Sequence, residues 1–187
     1  MLKLVEGKPA PMPLLAVQAF ANTLDIETGR DRLESVESFQ EWLEEMDFAA
    51  PGLTFRADNL RDAQGLRSAL RILLAANTEG RVDRHAVELF AAHRSWRQIA
   101  LALDPSGGIA LDLSPAESPR ELPPKLLGIS FQAQVDGTWE RLKLCQNPDC
   151  QWAFYDSSRN RSGSWCRMGE CGNRLKNRAY RARQRRG

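Results

Sequence analysis

The sequence predicts an α+β protein that is mainly α. We expect a helical N-terminal domain with a short strand over residues 1–138, followed by a small module of a β-hairpin and a basic helix over residues 139–187. Two observations predict this division. Apolar residues recur at helical spacing through most of the first 100 positions. All four cysteines lie after position 144, where basic residues are also concentrated.

Four helices are expected in the N-terminal domain, after an extended and proline-rich arm over residues 1–13. Each shows an apolar stripe with capping or turn residues near its ends. In chain order they are residues 14–25, a helix begun by Ser35 or Ser38, a helix capped by Asp58 and ended by Gly80, and residues 83–103.

Two further segments follow these helices. Ile109, Leu111 and Leu113 alternate with smaller or polar residues, which predicts a short strand. Residues 122–135 fit both a helix begun by prolines and an alternating strand, so both alternatives are open at this point.

Charge is divided unevenly along the chain. From Arg141 onward there are 12 Lys and Arg residues against 3 Asp and Glu, a net charge of +9, whereas residues 1–140 carry a net charge of −7. An acidic body with a basic tail points to a polyanion as the partner of the tail. No apolar run approaches the roughly 20 residues of a membrane helix, so we expect no membrane partner.

The cysteines form two pairs with equal internal spacing, Cys145 with Cys150 and Cys166 with Cys171. Two close pairs separated by a short span are typical of one structural zinc ion with four thiolate ligands. Two disulfides or an iron-sulfur cluster are the alternatives. The N-terminus lacks the apolar segment of a signal peptide, which favours a cytoplasmic protein and zinc over disulfides.

The residues around the cysteines predict how the zinc site is built. Alternating residues on both sides of the first pair predict two strands joined by a turn at residues 147–149. Cys171 is expected to open a helix, so that a hairpin and a helix each supply two ligands in a treble-clef arrangement. One stripe of this helix is basic and consists of Arg174, Arg178, Arg181 and Arg185.

The C-terminal segment resembles a known family. Cys171-Gly172-Asn173-Arg174, preceded by FYDSSRNRSGSWC, resembles the signature of the CGNR zinc finger. The stretches AFANTLD at residues 19–25 and LRSALRILL at residues 66–74 resemble the ABATE domain usually found ahead of it. This resemblance implies a bacterial stress-related transcription regulator, with a DNA-contacting finger behind a candidate ligand-sensing domain. It also favours the helix for residues 122–135.

Basic side chains of the module are the candidates for nucleic-acid contact. They are Arg159, Arg161, Arg174, Lys176, Arg178, Arg181 and Arg185. DNA is the expected partner, while RNA or an acidic protein would suit the same charge. The aromatic residues Trp152, Phe154, Tyr155 and Trp165 would either stack on unpaired bases or pack around the metal.

In the N-terminal domain, Asn22, Thr23 and Arg67 are candidates for binding a small effector. Asn22 and Thr23 would otherwise cap the helix end or bond a neighbouring loop. Arg67 and Arg71, one helical turn apart, would bind an anion together or lie exposed on the helix. No catalytic constellation occurs at a recognisable spacing, so we do not expect an enzyme. A homodimer would extend the DNA contact, although no heptad pattern marks an interface.

Overall fold

Helices dominate the computed structural model, which describes residues 7–81, 84–92, 98–103, 107–174 and 184. Its helices are α1 (Leu14–Ala21), α2 (Val36–Glu45), α3 (Ala57–Glu79), α4 (Arg84–Ala92) and α5 (Leu122–Val135). The strands are β1 (Leu24–Asp25), β2 (Arg30–Asp31), β3 (Leu101–Leu103), β4 (Ile109–Leu111), β5 (Leu142–Leu144) and β6 (Ala153–Tyr155). They pair consecutively as three antiparallel hairpins. The predicted fold class, α+β and mainly α, is confirmed. None of the described helices combines the length and the apolar character needed to cross a bilayer.

The main core lies where α1 and α3 meet and is covered by α5. Val17 and Phe20 of α1 and Leu66 and Leu70 of α3 are fully buried. Burial of each such side chain contributes roughly 1.5–3 kcal/mol. The apolar stripes predicted for the first and third helices therefore face each other.

Helix α3 has a definite cap at each end. Oδ1 of Asn59 accepts a hydrogen bond from the backbone N–H of Arg56 at 3.0 Å. Gly80 ends the helix with φ of 74°, a conformation that glycine adopts without strain. The prediction that Asp58 caps the helix is wrong, because Asp58 lies inside the first turn. Its negative charge there still stabilises the helix by interacting with the helix dipole.

Helix α2 begins with a reciprocal pair of serine bonds. Oγ of Ser35 accepts from the N–H of Ser38 and Oγ of Ser38 accepts from the N–H of Ser35, both at 3.1 Å. Of the two predicted starts, Ser35 is the capping residue and Ser38 is its partner. The helix buries Trp42, whose ring lies 5.8 Å from the ring of Phe20 and joins α2 to α1.

Helix α1 ends at Ala21, four residues earlier than predicted, and the chain then reverses through β1 and β2. Oδ1 of Asp25 accepts hydrogen bonds from the N–H groups of Glu27 at 3.0 Å and Thr28 at 3.2 Å. This local turn satisfies backbone groups that a further helical turn would have used. The prediction of a helix to Asp25 is therefore wrong.

The helix predicted over residues 83–103 is also too long. The described part of α4 is Arg84–Ala92, and residues 93–97 lie outside the described residues. Leu101–Leu103 is strand β3, so the helix does not extend to Leu103. The register places Leu101 opposite Leu111 and Leu103 opposite Ile109. These leucines fit a helical stripe and an alternating strand equally, and the pairing with β4 decides between them. The strand predicted from Ile109 is confirmed and ends at Leu111.

Residues 122–135 form α5, which confirms the helix over the strand. Pro123 and Pro124 lie in its first turn, where a missing amide proton breaks no helical hydrogen bond. Leu126, Ile129 and Ala133 are buried, on the side that meets α1.

Candidate metal centre

The four cysteine sulfurs converge at the closed end of the β5–β6 hairpin. The Sγ atoms of Cys145, Cys150, Cys166 and Cys171 lie within 4.8 Å of one another, and all four residues are buried. The Sγ atoms of Cys150 and Cys166 are 3.7 Å apart, and those of Cys166 and Cys171 are 3.6 Å apart. A tetrahedron with zinc–sulfur bonds of about 2.3 Å has sulfur–sulfur edges of about 3.8 Å. The cluster therefore fits one zinc ion with four ligands, and the disulfide alternative is wrong because all four cysteines are free.

The hairpin holds the first ligand pair, as predicted. The N–H of Cys145 donates to the carbonyl oxygen of Trp152 at 3.0 Å and so extends the ladder beyond the strands. The N–H of Cys150 donates to the carbonyl oxygen of Asn147 at 2.9 Å and closes the turn between the ligands. These bonds fold the four-residue gap so that both thiols reach the same cluster.

The second ligand pair lies at a wide helical turn, Met168–Gly172. The N–H of Cys171 donates to the carbonyl oxygen of Arg167 at 3.0 Å. Helical structure therefore begins three residues before Cys171. The prediction that Cys171 opens the helix is corrected, since Cys171 lies within this turn and Cys166 just before it.

The sulfurs are close enough to share protons. Hydrogen bonds from the thiols of Cys150 and Cys166 lower the pKa of Cys145. The hydrogen bond to Cys145, together with burial, raises the pKa of Cys150. The hydrogen bonds to Cys145 and Cys150, again with burial, hold the pKa of Cys166 far above its ordinary value. Adjacent thiolates thus oppose each other's ionisation, and a divalent cation among them removes this opposition.

The loop between the hairpin and the second ligand pair is organised around Asp156, which is 2% exposed. Its Oδ2 accepts from Nζ of Lys143 at 2.9 Å and from the N–H of Gly163 at 2.7 Å, and its Oδ1 accepts from the N–H of Ser158 at 3.1 Å. Burial alone would raise the pKa of Asp156, but these hydrogen bonds outweigh burial and hold the pKa well below its usual range. The charged pair of Asp156 with Lys143 therefore fixes residues 157–163 against the hairpin.

Helix α1 binds the outer edge of β6 through side-chain amides. Nδ2 of Asn22 donates to the carbonyl oxygen of Ala153 at 3.0 Å, and Oδ1 of Asn22 accepts from the N–H of Ala153 at 2.7 Å. Nε2 of Gln18 donates to the same carbonyl oxygen at 3.0 Å. Both amides are buried, so α1 replaces the missing neighbouring strand.

Helix α3 binds the other strand in the same way. Nδ2 of Asn77 donates to the carbonyl oxygens of Trp139 and Leu142, both at 2.9 Å. Oγ1 of Thr78 donates to the carbonyl oxygen of Leu144 at 3.0 Å. The zinc hairpin is therefore held between two helices of the N-terminal part.

Arg71 of α3 reaches the zinc turn itself. Its Nη2 donates to the carbonyl oxygen of Gln151 at 3.1 Å, and its Nη1 donates to that of Ala21 at 2.8 Å. Arg67 and Arg71 are only 6% and 8% exposed, so the alternative that they lie exposed on the helix is wrong. Their burial is tolerated because carbonyl oxygens and the carboxylate of Asp31 meet the two guanidinium charges.

The three candidate effector residues are buried at the end of α1 and on α3. Oγ1 of Thr23 donates to the carbonyl oxygen of Phe20 at 2.8 Å and accepts from Nη1 of Arg67 at 3.1 Å. Nη2 of Arg67 donates to Oδ2 of Asp31 at 2.8 Å. Together with the Asn22 bonds, this matches the alternative in which they bond the helix end and a neighbouring segment. An effector role for them stays a prediction.

The candidate nucleic-acid residues are placed only in part. Arg159 is exposed. Nη1 of Arg161 is 2.6 Å from Oε2 of Glu140, and the guanidinium of Arg174 pairs with the carboxylate of Glu27 on the β1–β2 turn. The other four candidates, Lys176, Arg178, Arg181 and Arg185, lie outside the described residues.

Sequence reasoning missed the side chains that join the helices to the hairpin. Gln18 is the single polar residue in α1, which reads LLAVQAFA, and this isolation was the available signal. Asn77 and Thr78 carried no such signal, because polar residues are common near a helix end. The Lys143–Asp156 pair was hidden because strand alternation assigns Lys143 to an exposed face.

A four-cysteine zinc hairpin joined to a helical domain defines the class of a zinc-finger protein. The family model of the CGNR zinc finger matches residues 141–184, which include all four ligands. The model of the ABATE family, described as "Putative stress-induced transcription regulator", matches residues 16–128, more than half of the chain. The chain therefore belongs to the ABATE family and carries a CGNR zinc finger. No curated protein matches the chain.

Replacing one ligand should remove the metal. In Cys166→Ser a hydroxyl replaces a thiolate, and we expect the zinc content to fall from one equivalent per chain to near zero. Structural zinc contributes roughly 10–16 kcal/mol in small fingers, so the midpoint of thermal unfolding should fall by at least about 10 °C. Elemental analysis and calorimetry measure both, with Ser162→Ala in the same loop as the control. A variant that keeps its zinc and its midpoint would contradict the four-ligand assignment.

A matched pair of glycine substitutions tests the packing of Asp156. A β-carbon at Gly163 would lie 2.7 Å from Cγ of Asp156, whereas one at Gly169 would meet nothing within 4 Å. We expect Gly163→Ala to lower the free energy of unfolding by about 1–3 kcal/mol and Gly169→Ala to be close to neutral. Denaturant titration of the zinc-loaded proteins measures the difference. Equal stability of the two variants would mean that the carboxylate does not pack against position 163.

Proposed function

We propose that the protein is a DNA-binding transcription regulator whose zinc module contacts duplex DNA and whose N-terminal helices respond to a small ligand. The observation that carries the DNA proposal is the division of charge, with a net +9 from Arg141 onward against −7 before it. Zinc with four thiolates contributes about −2, which leaves the module at about +7. The regulatory description of the ABATE family supports the same reading.

The module has the construction that a phosphate-binding surface needs. The cysteine cluster fixes the helical turn Met168–Gly172 against the hairpin, and the basic segment continues directly from this turn. The Asp156 bonds hold the loop that carries Arg159 and Arg161. Phosphate contacts from a fixed loop and a fixed turn cost less ordering than contacts from a free tail.

Two of the proposed contacts have acidic partners within the protein. Arg161 pairs with Glu140, and Arg174 pairs with Glu27. All four side chains are 43–70% exposed, and exposed ion pairs are weak, so a DNA phosphate can replace either carboxylate at small cost. Arg159 has no ion-pair partner in the described part of the chain and needs no such exchange.

RNA is the second candidate partner, but the burial of the aromatic residues disfavours it. Phe154 is 1% exposed and belongs to the cluster of the four cysteines, against which Trp152 and Trp165 pack half-buried. Tyr155 packs against the main core. These rings stabilise the module and offer less face for stacking than single-stranded RNA would need. An acidic protein partner would use the same basic surface without a duplex.

Binding to DNA at several salt concentrations tests the proposal. With about five phosphates neutralised, the plot of log affinity against log salt should have a slope of about −4 to −5. Fluorescence anisotropy with a labelled duplex of random sequence measures this slope, with unlabelled single-stranded RNA of equal length as the competitor. Affinity that does not change with salt, or efficient displacement by the RNA, would contradict the assignment to duplex DNA.

Release of Arg174 from its internal partner should strengthen DNA binding. Glu27→Gln removes the carboxylate that competes with phosphate for Arg174, and we expect the Kd for duplex DNA to fall about two- to fivefold. Glu41→Gln, an exposed site on α2, removes the same net charge and serves as the control. Equal gains in the two variants would show that only overall charge matters and that Arg174 makes no DNA contact.

A further inference from the structure

A cleft with a cavity volume of about 100 Å³ opens between the start of α1, the end of α2, the segment after β4 and α5. This volume is below the roughly 300–1,000 Å³ of drug-sized sites, so the cleft suits only a small molecule. Most of the wall is apolar, as in such sites. The principal apolar residues are Ala16, Phe48, Leu113, Leu122, Leu126 and Ile129.

The polar groups of the cleft include one lysine and two aspartates, Lys125, Asp112 and Asp47. Nζ of Lys125 donates to Oδ2 of Asp112 at 2.6 Å, to Oγ of Ser114 at 3.3 Å and to the carbonyl oxygen of Asp112 at 3.4 Å. An ammonium group has three protons, so these bonds use all of them. Lys125 therefore has no proton left for an anionic ligand.

Asp112 is likewise occupied by the protein. Its Oδ1 accepts from the N–H of Ser114 at 2.9 Å and from Oγ of Ser114 at 2.6 Å. Hydrogen bonds from Lys125 and Ser114 lower the pKa of Asp112 to about 2, so the carboxylate is charged at neutral pH and balances the lysine. The two residues therefore line the cleft as an ion pair without net charge.

Asp47 is the second aspartate of the cleft, and its negative charge is not balanced by Lys125, which pairs with Asp112. It is exposed at the end of α2, and its carboxylate forms no hydrogen bond or ion pair within the described residues. Its φ of 55° lies in the left-handed region, which Asp and Asn tolerate better than most residues. The cleft therefore combines an apolar wall with one unbalanced carboxylate at its rim.

We propose that this cleft binds a small, mainly apolar molecule that carries an amine, with the apolar part against the wall and the ammonium beside Asp47. The site specifies the ligand class for the sensing role proposed above, and its regulatory meaning rests on that proposal. Helix α1 supplies a physical connection, because Ala16 near its start lines the cleft. Gln18 of the same helix and Asn22, which caps its C-terminal end, bind Ala153 of the zinc hairpin.

Three probes of similar shape and different charge test the ligand class on the zinc-loaded full chain. They are cyclohexylmethylamine, cyclohexylmethanol and cyclohexanecarboxylate. We expect calorimetric titration to give the strongest binding for the amine, at least about fivefold weaker binding for the alcohol, and no binding for the carboxylate. Binding of the carboxylate as tight as that of the amine, or no binding of the amine, would overturn the proposal.

Substitution at the rim tests the position of the amine. Asp47→Asn keeps a residue that tolerates the left-handed conformation and should reduce amine affinity at least about fivefold, to the level of the alcohol. Glu41→Gln removes the same net charge on α2 outside the cleft and should leave amine affinity unchanged. An unchanged affinity in Asp47→Asn would overturn the assignment.

A separate experiment tests whether ligand binding in the cleft affects DNA binding. It measures the Kd for duplex DNA with and without saturating cyclohexylmethylamine. A change in this Kd supports the link from the cleft to the finger. Amine binding without such a change keeps the cleft assignment and refutes its regulatory role. Absence of DNA binding would refute the DNA proposal alone, since the amine titration needs no DNA.

Discussion

A two-stranded sheet as short as the zinc hairpin is not stable alone. The backbone N–H and C=O groups on its outer edges also need hydrogen-bond partners where they are buried. The side chain of Asn22 forms hydrogen bonds with both the N–H and the carbonyl oxygen of Ala153. Asn77 and Thr78 donate hydrogen bonds to the carbonyl oxygens of Leu142 and Leu144 in β5. Each buried group left without a partner would cost about 1–3 kcal/mol. The position of the hairpin, and with it the position of the zinc ligands, therefore depends on side chains of α1 and α3. Leu142, Leu144 and Ala153 also share one apolar cluster with those helices.

The metal ligands and local turns could be predicted from the sequence more completely than the contacts between distant segments could. The spacing of the cysteines predicted their cluster, because a structural zinc ion needs four ligands around one point and the chain offers four cysteines in two close pairs. The turn at residues 147–149 followed from local residue types. Leu101–Leu103 could not be assigned in this way, since pairing with β4 decides its conformation. Nor could the partner of Asn22, which lies 131 positions away at Ala153. The division at residue 138 stays a prediction, because a boundary in sequence need not be a boundary in packing.

The same architecture connects the proposed functions. Helix α1 runs from the amine cleft to the hairpin, and the hairpin carries two of the zinc ligands. The β1–β2 turn that follows α1 carries Glu27, which pairs with Arg174 just after the last ligand. A shift of α1 would thus act on the finger through buried amide bonds and through one exposed ion pair. Of these, the buried bonds carry the larger energy, because water competes with the exposed pair.

Hydrogen exchange with mass spectrometry, comparing the zinc-loaded protein with the same protein after zinc removal by a chelator, tests most directly whether the hairpin and the helices form one cooperative unit. If they do, removal of zinc should increase exchange in peptides from α1 and α3 as well as in peptides spanning residues 142–155. Faster exchange confined to the hairpin and the ligand loops, with α1 and α3 unchanged, would contradict the account.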